Sequence, residues 1–129
     1  MVIGESAEDY VEAVLIIEKQ NGCVHSIDIA RHLKVSKPSV SYAIKNLSEA
    51  GYLIMDEDNE KQIKLTPKGR ALAEQMYERH VFFTQWLKSL GIDPVVAVSE
   101  ACRMEHVLSK QSFKAIKKFV LEHRNKPMQ

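Results

Sequence analysis

The sequence has no apolar run near the roughly 18–20 residues needed to span a bilayer, and nothing in it resembles a secretory signal. It has only two cysteines, Cys23 and Cys102, which is too few for a disulfide framework. Internal repeats and low-complexity segments are also lacking. These absences argue against a membrane protein and against a disulfide-rich secreted protein. They favour a reducing, cytoplasmic location in which both thiols stay free.

Charge of one sign is not in excess, because 18 Lys and Arg residues nearly balance 17 Asp and Glu residues. Any affinity for nucleic acid must therefore come from local clustering of positive charge. Residues 110–126 form one such cluster, with six basic residues against Glu122, whereas residues 1–20 are acidic. A chain of 129 residues fits one domain, or two small domains that share an interface.

Residues 26–53 carry the most organised pattern in the chain. Ser26 can cap a short helix and Ser36 a second one, with a tight turn at Lys34 and Val35 between them. Two short helices joined by a brief turn are typical of a helix-turn-helix. The β-prone runs YLIM and QIKL then flank an acidic loop, which predicts a two-stranded wing.

Helical spacing predicts further helices on both sides of this motif. Their limits are residues 6–20 with Ser6 as N-cap, Thr66 to Leu90, Asp93 to Val107, and a last helix after Ser109. We predict a mainly α fold, with an N-terminal winged helix-turn-helix that has a small β-hairpin wing, followed by an all-α dimerisation domain. The predicted domains are residues 1–70 and 71–129. The alternative for the second half is a monomeric three-helix packing.

The second helix of the motif presents a polar face opposite its apolar stripe of Val40, Ile44 and Leu47. Small hydroxyl side chains would let this helix enter a major groove, and lysines would contact phosphates. The alternative is an ordinary solvated helix face, but the wing that follows favours DNA binding. The predicted DNA-binding residues are Ser36, Lys37, Pro38, Ser39, Ser41, Tyr42 and Lys45.

The predicted wing disagrees with DNA binding in the sign of its charge. Phosphate would repel its acidic tip, so on the wing only Lys61 and Lys64 are suited to contact a DNA backbone. The acidic residues of the tip are Asp56, Glu57, Asp58 and Glu60. For the basic last helix, Lys110 to Lys118, we predict a solvated surface in preference to a DNA contact.

The segment ACRMEH places a thiol, a carboxylate and an imidazole within five positions. On a helix, Cys102, Glu105 and His106 would share one arc because residues at i, i+3 and i+4 lie over one another. This mixture of soft and hard ligands suits Fe(II), Mn(II), Co(II), Ni(II) or Zn(II) better than Mg(II) or Ca(II). Cys102 alone would be a small buried apolar residue.

Three other side chains are candidates to complete a metal site. Asp9 and Glu12 lie at i and i+3 on the first predicted helix, and His80 falls within the apolar stripe of the long helix. Each has an ordinary structural explanation: Asp9 would be a capping-box carboxylate, and His80 a core histidine. Convergence of all six from three helices would make a metal site.

The order and spacing of four motifs resemble the diphtheria-toxin-repressor and manganese-transport-regulator family of metal-dependent transcriptional repressors. The motifs are AEDYVEAVLIIE, IARHLKVSKPSVSYAIKNLSEAGYL, LTPKGRALAEQMYERH and EACRMEHVLS, and together they cover about residues 5–110. The resemblance implies that the metal ligands are Asp9, Glu12, His80, Cys102, Glu105 and His106. It also implies a double-stranded DNA operator, a homodimer formed by the helices after the wing, and repression of metal-uptake genes.

The chain departs from the family pattern at several positions. Iron-sensing members place methionine where Asp9 stands, and manganese-sensing members often place glutamate where Cys102 stands. Thr84 and Val98 replace two ligands of an ancillary site in the iron-type members, and the SH3-like domain of longer members has no counterpart before Gln129. The mixed pattern leaves Mn(II) and Fe(II) both open, with Mn(II) ahead. Co(II), Ni(II) or Zn(II) could substitute.

These observations predict a cytoplasmic, homodimeric, metal-dependent DNA-binding regulator without enzymatic activity. In the predicted mechanism, the metal links the first helix to the dimerisation half and so favours the DNA-binding arrangement. Three alternatives belong to other classes. One is a winged-helix regulator that responds to a small organic ligand, and a second is a metalloenzyme with Glu105 as base, although no H-E-x-x-H motif is present. The third is a thiol redox sensor that uses Cys102 or Cys23.

Overall fold

The computed structural model describes residues 5–124, which contain six helices and one two-stranded antiparallel sheet. This element order confirms the predicted fold of a winged helix-turn-helix followed by helices. Within the described residues, no helix combines the length and the apolar character that crossing a bilayer requires. The elements are α1 Glu5–Asn21, α2 Ser26–Leu33, α3 Lys37–Glu49, β1 Leu53–Asp56, β2 Gln62–Leu65, α4 Pro67–Ser89, α5 Pro94–Met104 and α6 Lys110–His123.

The chain divides into two compact units, Met1–Tyr77 and Glu78–Gln129. The division lies inside α4, which belongs to the first unit at its N-terminal end and to the second unit at its C-terminal end. The predicted domains, residues 1–70 and 71–129, extend at both termini over positions outside the described residues. Each unit has its own apolar cluster.

In the first unit, α2 and α3 form the predicted helix-turn-helix. Ser36 is the N-cap of α3, and its Oγ accepts a hydrogen bond from the Ser39 N–H at 3.2 Å. The cap of α2 was predicted wrongly as Ser26. The N-cap is His25, whose extended backbone lets its N–H donate to the Asp28 carboxylate at 2.9 Å. Lys34 then takes a left-handed conformation, φ 57°, which ends α2 and makes the tight turn.

The apolar faces of α1, α2 and α3 pack with the wing into the core of the first unit. β1 pairs with β2 so that Leu53 faces Leu65 and Asp56 faces Gln62. Leu53 and Ile63 point into the core, where Val11, Val14 and Val40 are also completely or almost completely buried. This core holds α3 with its apolar stripe inward, and therefore with its polar face outward.

The start of α4 fits closely against the end of α3. Thr66 caps α4, because its Oγ1 accepts the Gly69 N–H at 3.0 Å and donates to the Gly51 carbonyl at 2.6 Å. Gly69 is buried, and a Cβ atom at this position would overlap the carbonyl oxygen of Tyr52. The position therefore requires glycine because of close backbone packing, although alanine has the higher helix propensity.

We expect Gly69→Ala to lower the free energy of unfolding by about 1–3 kcal/mol, since overpacking outweighs the gain in propensity. Urea denaturation followed by circular dichroism measures the change. Glu74→Ala, at an exposed position of the same helix, is the control and should shift stability by less than about 0.5 kcal/mol. Equal stabilities of the Gly69 variant and the wild type would mean that the backbones are not in close contact.

In the second unit, the C-terminal part of α4 packs with α5 and α6 around an aromatic centre. Phe83 and Phe113 contact edge to face, with ring centroids 5.7 Å apart, and Phe82 packs against both rings. Asp93 caps α5 ahead of Pro94, and Ser109 caps α6. Leu90, predicted to continue the apolar stripe of the long helix, is 61% exposed and lies just past its end.

Candidate metal centre and DNA-binding surface

The last turn of α5 and the residues directly after it carry three of the six predicted metal ligands. α5 was predicted wrongly to continue to Val107, because it ends at Met104 and Glu105 is its C-cap. The chain keeps a helix-like path for one more turn: His106 N–H donates to the Arg103 carbonyl at 3.4 Å, and Val107 N–H to the Met104 carbonyl at 3.3 Å. These i to i−3 bonds are the tightened kind that close many helix ends.

Glu105 is the central carboxylate of this unit. Its side chain is completely buried, and its two oxygens lie 3.1 Å from His80 Nδ1 and 3.3 Å from His106 Nε2. The side chain of His106 is 1% exposed and that of His80 is 23% exposed. The His80 ring shares a hydrogen bond with this buried carboxylate, the His106 ring lies within ion-pair distance of it, and all three groups are metal ligands when deprotonated.

Cys102 joins this group from the preceding turn. One ligand atom each from Cys102, Glu105 and His106 lies within 4.8 Å of the others, and His80 is equally close to Glu105. Cys102 is exposed and in the free thiol form. The predicted proximity of Cys102, Glu105 and His106 is therefore present in the structure, although two of the three lie beyond the end of the helix.

The donor set of the second unit fits a divalent first-row transition metal. It combines one thiol, one carboxylate and two imidazoles, a mixture of soft and hard donors that suits such ions better than Mg(II) or Ca(II). Ligand atoms of Cys102, Glu105 and His106 lie within 4.8 Å of one another, and His80 lies within 4.8 Å of Glu105, so Glu105 belongs to both groups. The residues therefore fit the metal that the sequence implies.

The other two predicted ligands lie on α1, in the first unit. Asp9 is half-buried and Glu12 is buried, and their spacing of three residues places them on one face of the helix. Ser6 lies inside α1, so the predicted N-cap role of Ser6 is wrong. Tyr10, between the two carboxylates in sequence, is buried, and this burial raises the pKa of its phenol above the ordinary value.

The predicted DNA-binding face of α3 is exposed along its whole length. Tyr42 is 72% exposed, which is unusual for an aromatic side chain in the middle of a helix. The Ser36 and Ser39 hydroxyls lie 2.8 Å apart and bind each other, so the N-terminal end of α3 is already capped. The exposed residues include all seven predicted DNA contacts: Ser36, Lys37, Pro38, Ser39, Ser41, Tyr42 and Lys45.

The wing offers much less positive charge than α3. Lys64 forms an ion pair with Asp56 at 3.4 Å across the two strands, and Glu57, Asp58 and Glu60 at the tip are exposed. The ion pair partly neutralises Lys64, one of the two wing lysines predicted from the sequence to be suited to contact a DNA backbone. The exposed acidic tip has the charge that phosphates would repel.

Arg79 was not predicted from the sequence as a functional residue. It is 3% exposed and contacts the turn that carries Glu105 and His106. A signal was available, because Arg79 lies three residues after Met76 and four before Phe83 and so falls in the buried stripe of α4. A charged residue in a buried stripe requires partners, and its position beside His80 in sequence indicates where those partners would lie.

Two family models match the chain. Residues 3–60 match the N-terminal DNA binding domain of the iron dependent repressors, and residues 66–129 match their metal binding and dimerisation domain. Among curated proteins, the transcriptional regulator MntR of Salmonella typhimurium is 33% identical over 119 residues, which cover 92% of this chain and 74% of MntR. The MntR of Listeria monocytogenes is 31% identical over 122 residues, with coverages of 95% and 84%.

Solved structures give the same picture. The manganese regulator SloR superposes with a TM-score of 0.78 at 25% identity, over 94% of this chain and 55% of SloR. A manganese-dependent transcriptional repressor solved in complex with manganese superposes with a TM-score of 0.73 at 26% identity, over 88% of this chain and 53% of that one. This chain therefore spans about half the length of these two solved chains.

Proposed function

The chain belongs to the iron-dependent repressor family of metal-dependent, DNA-binding transcriptional regulators, and from this we propose that the protein is a manganese- or iron-dependent repressor. Members of this family are regulators and not enzymes. One observation carries the proposal: the chain combines a helix-turn-helix, in which the polar face of α3 is exposed, with a buried carboxylate that lies between two imidazoles beside a thiol.

We propose as metal ligands the six residues Asp9, Glu12, His80, Cys102, Glu105 and His106. The contacts around Glu105 support four of them, and the match of the chain to its family supports the pair on α1. When bound, the ion would supply positive charge that neutralises this concentration of carboxylate and thiolate. The protein would supply deprotonated ligands. The ion could reach them from solvent past His80, which is partly exposed, and Cys102, which is exposed.

Mn(II) is the metal we propose first, with Fe(II) as the second candidate. The solved relatives described as manganese regulators support Mn(II), and carboxylate ligands suit it. The Cys102 thiolate is a softer ligand that favours Fe(II) and accommodates Co(II), Ni(II) or Zn(II). In this proposal metal binding strengthens DNA binding, and DNA binding therefore strengthens metal binding by the same factor.

We propose that the protein acts as a homodimer in the cytoplasm and binds a two-fold symmetric operator. The second unit exposes seven large apolar side chains, several of them mostly exposed, and such surfaces mark protein–protein contacts. They are Leu90, Val95, Val96, Val98, Val107, Phe119 and Leu121. The proposed domains are residues 1–70 for DNA binding and 71–129 for metal binding and dimerisation. The proposed targets are genes for metal uptake, which the metal-loaded protein would repress.

Anaerobic titration of the metal-free protein with Mn(II), Fe(II) and Zn(II) tests the metal part of the proposal. We expect binding of Mn(II) or Fe(II), and we expect Cys102→Ala to weaken Zn(II) binding more than Mn(II) binding because the thiolate is the softest ligand. Sedimentation equilibrium of the same samples gives the oligomeric state. Cys23→Ala is the matched control. Absence of Mn(II) and Fe(II) binding in the wild type would contradict the proposed function.

A further inference from the structure

Arg79 is a buried cation whose hydrogen bonds go to the turn after α5 and whose guanidinium faces a ring of α6. Its Nη1 donates hydrogen bonds to the Glu105 carbonyl at 2.9 Å and to the Leu108 carbonyl at 2.6 Å. Its guanidinium carbon lies 5.3 Å from the centroid of the Phe113 ring, at a distance typical of a cation–π contact. One nitrogen thus ties together the two ends of the segment 105–108.

This segment needs such a partner because the carbonyl groups at a helix C-terminus have no N–H donor inside the helix. The Glu105 carbonyl belongs to the C-cap of α5, and Leu108 precedes the N-cap of α6. Arg79 therefore holds the short connection between two helices from one side. His106, inside the connection, has its position set by the two residues that Arg79 binds and by its own bond to Arg103.

Burying this guanidinium is costly, which makes a purely incidental role a poor explanation. Among the described residues, Nε of Arg79 has no hydrogen-bond partner, and the side chain is 3% exposed. An exposed lysine or water could satisfy two carbonyls without that cost. Unlike a lysine or a water molecule, the rigid, planar guanidinium of Arg79 fixes the positions of the Glu105 and Leu108 carbonyls.

We propose that Arg79 is a positioning residue of the metal centre, which holds the Glu105–Leu108 turn so that Glu105 and His106 present their ligand atoms together before an ion binds. The inference rests on the proposed function. Arg79 directly precedes His80 in α4, so one helical segment supplies both a ligand and the group that fixes two further ligands. Outer contacts of this kind typically contribute about 10–100-fold to metal affinity.

The test compares Mn(II) affinity and the Co(II) absorption spectrum of the wild type, Arg79→Met and Arg79→Lys, alongside urea denaturation of the metal-free proteins. We expect Arg79→Met to bind Mn(II) about 10–100-fold more weakly and to change the Co(II) spectrum, which reports ligand geometry. Arg79→Lys should recover part of both. Lys88→Met removes an exposed positive charge from the same helix and should leave both unchanged.

Wild-type Mn(II) affinity and Co(II) spectrum in a folded Arg79→Met protein would overturn the inference and leave the proposed function intact. Failure of the wild type to bind any of these ions would instead remove the proposed function. Should Arg79→Met not fold, amide hydrogen exchange of the wild type decides. The amides of His106 and Val107, which bond to the Arg103 and Met104 carbonyls, should be protected in the metal-free protein almost as strongly as with Mn(II), and protection that arises only with Mn(II) would overturn the inference.

Discussion

Glu105→Gln is expected to weaken Mn(II) binding by about 100-fold or more, because loss of a charged ligand should cost more than the roughly 10–100-fold that contacts outside the ligand set contribute. Glu105 is completely buried, and its two oxygens contact both His80 and His106. Glutamine keeps the shape of the side chain but removes the negative charge and replaces one ligand oxygen with an amide nitrogen. Calorimetric titration under anaerobic conditions measures the change.

Glu100→Gln is the matched control, because it makes the same chemical change at an exposed position of α5. It should bind Mn(II) within about twofold of the wild type, in keeping with the small effects of exposed charges. Circular dichroism should show equal helix content for both variants. A Glu105→Gln protein with wild-type affinity would mean that Glu105 is not a ligand.

Reversal of charge at Lys37 and Lys45 together is expected to weaken DNA binding by about 100-fold or more at moderate salt. Both lysines are exposed on α3, on the face that also carries Tyr42. Each phosphate contact contributes about 0.9 to the slope of log K against log salt. A homodimer of the Lys37→Glu, Lys45→Glu protein loses four such contacts, so the slope should fall by about 3.6. Fluorescence anisotropy at several salt concentrations measures both quantities.

The control applies the same change in charge to the last helix. Lys114 and Lys118 are exposed on α6, and their reversal to glutamate should change the salt slope by less than about 0.5, because we expect this helix to carry a solvated surface. Equal losses in both double variants would show that net charge, and not α3, determines affinity. Retention of wild-type DNA binding in the α3 variant would contradict the assignment of α3 as recognition helix.

The elements that could be predicted from the sequence are those whose determinants lie within a few residues. Ser36, Thr66 and Ser109 each cap the helix that follows by a bond to the residue three positions on, and all three caps are confirmed. The family resemblance is also confirmed. It rests on spacings such as the one that places Cys102, Glu105 and His106 together.

The predictions that failed depended on contacts distant in sequence or on competing local bonds. The end of α5 at Met104 could not be read locally, because Arg79 reaches the Glu105 carbonyl across 26 positions. The N-cap of α2 was predicted one residue too late, at Ser26. The His25 backbone N–H donates to the Asp28 carboxylate, and this bond makes His25 the N-cap. The contact of His80 with Glu105, 25 positions apart, followed from the family resemblance and not from spacing.

Control of DNA binding by metal can be measured on one selected duplex. The duplex is selected from a random pool by the Mn(II)-loaded protein, and its affinity is then measured at fixed salt with and without Mn(II). We predict that Mn(II) strengthens binding by about 5–150-fold, the range of a coupling free energy of about 1–3 kcal/mol. Equal affinity with and without Mn(II), and likewise with and without Fe(II), would contradict it.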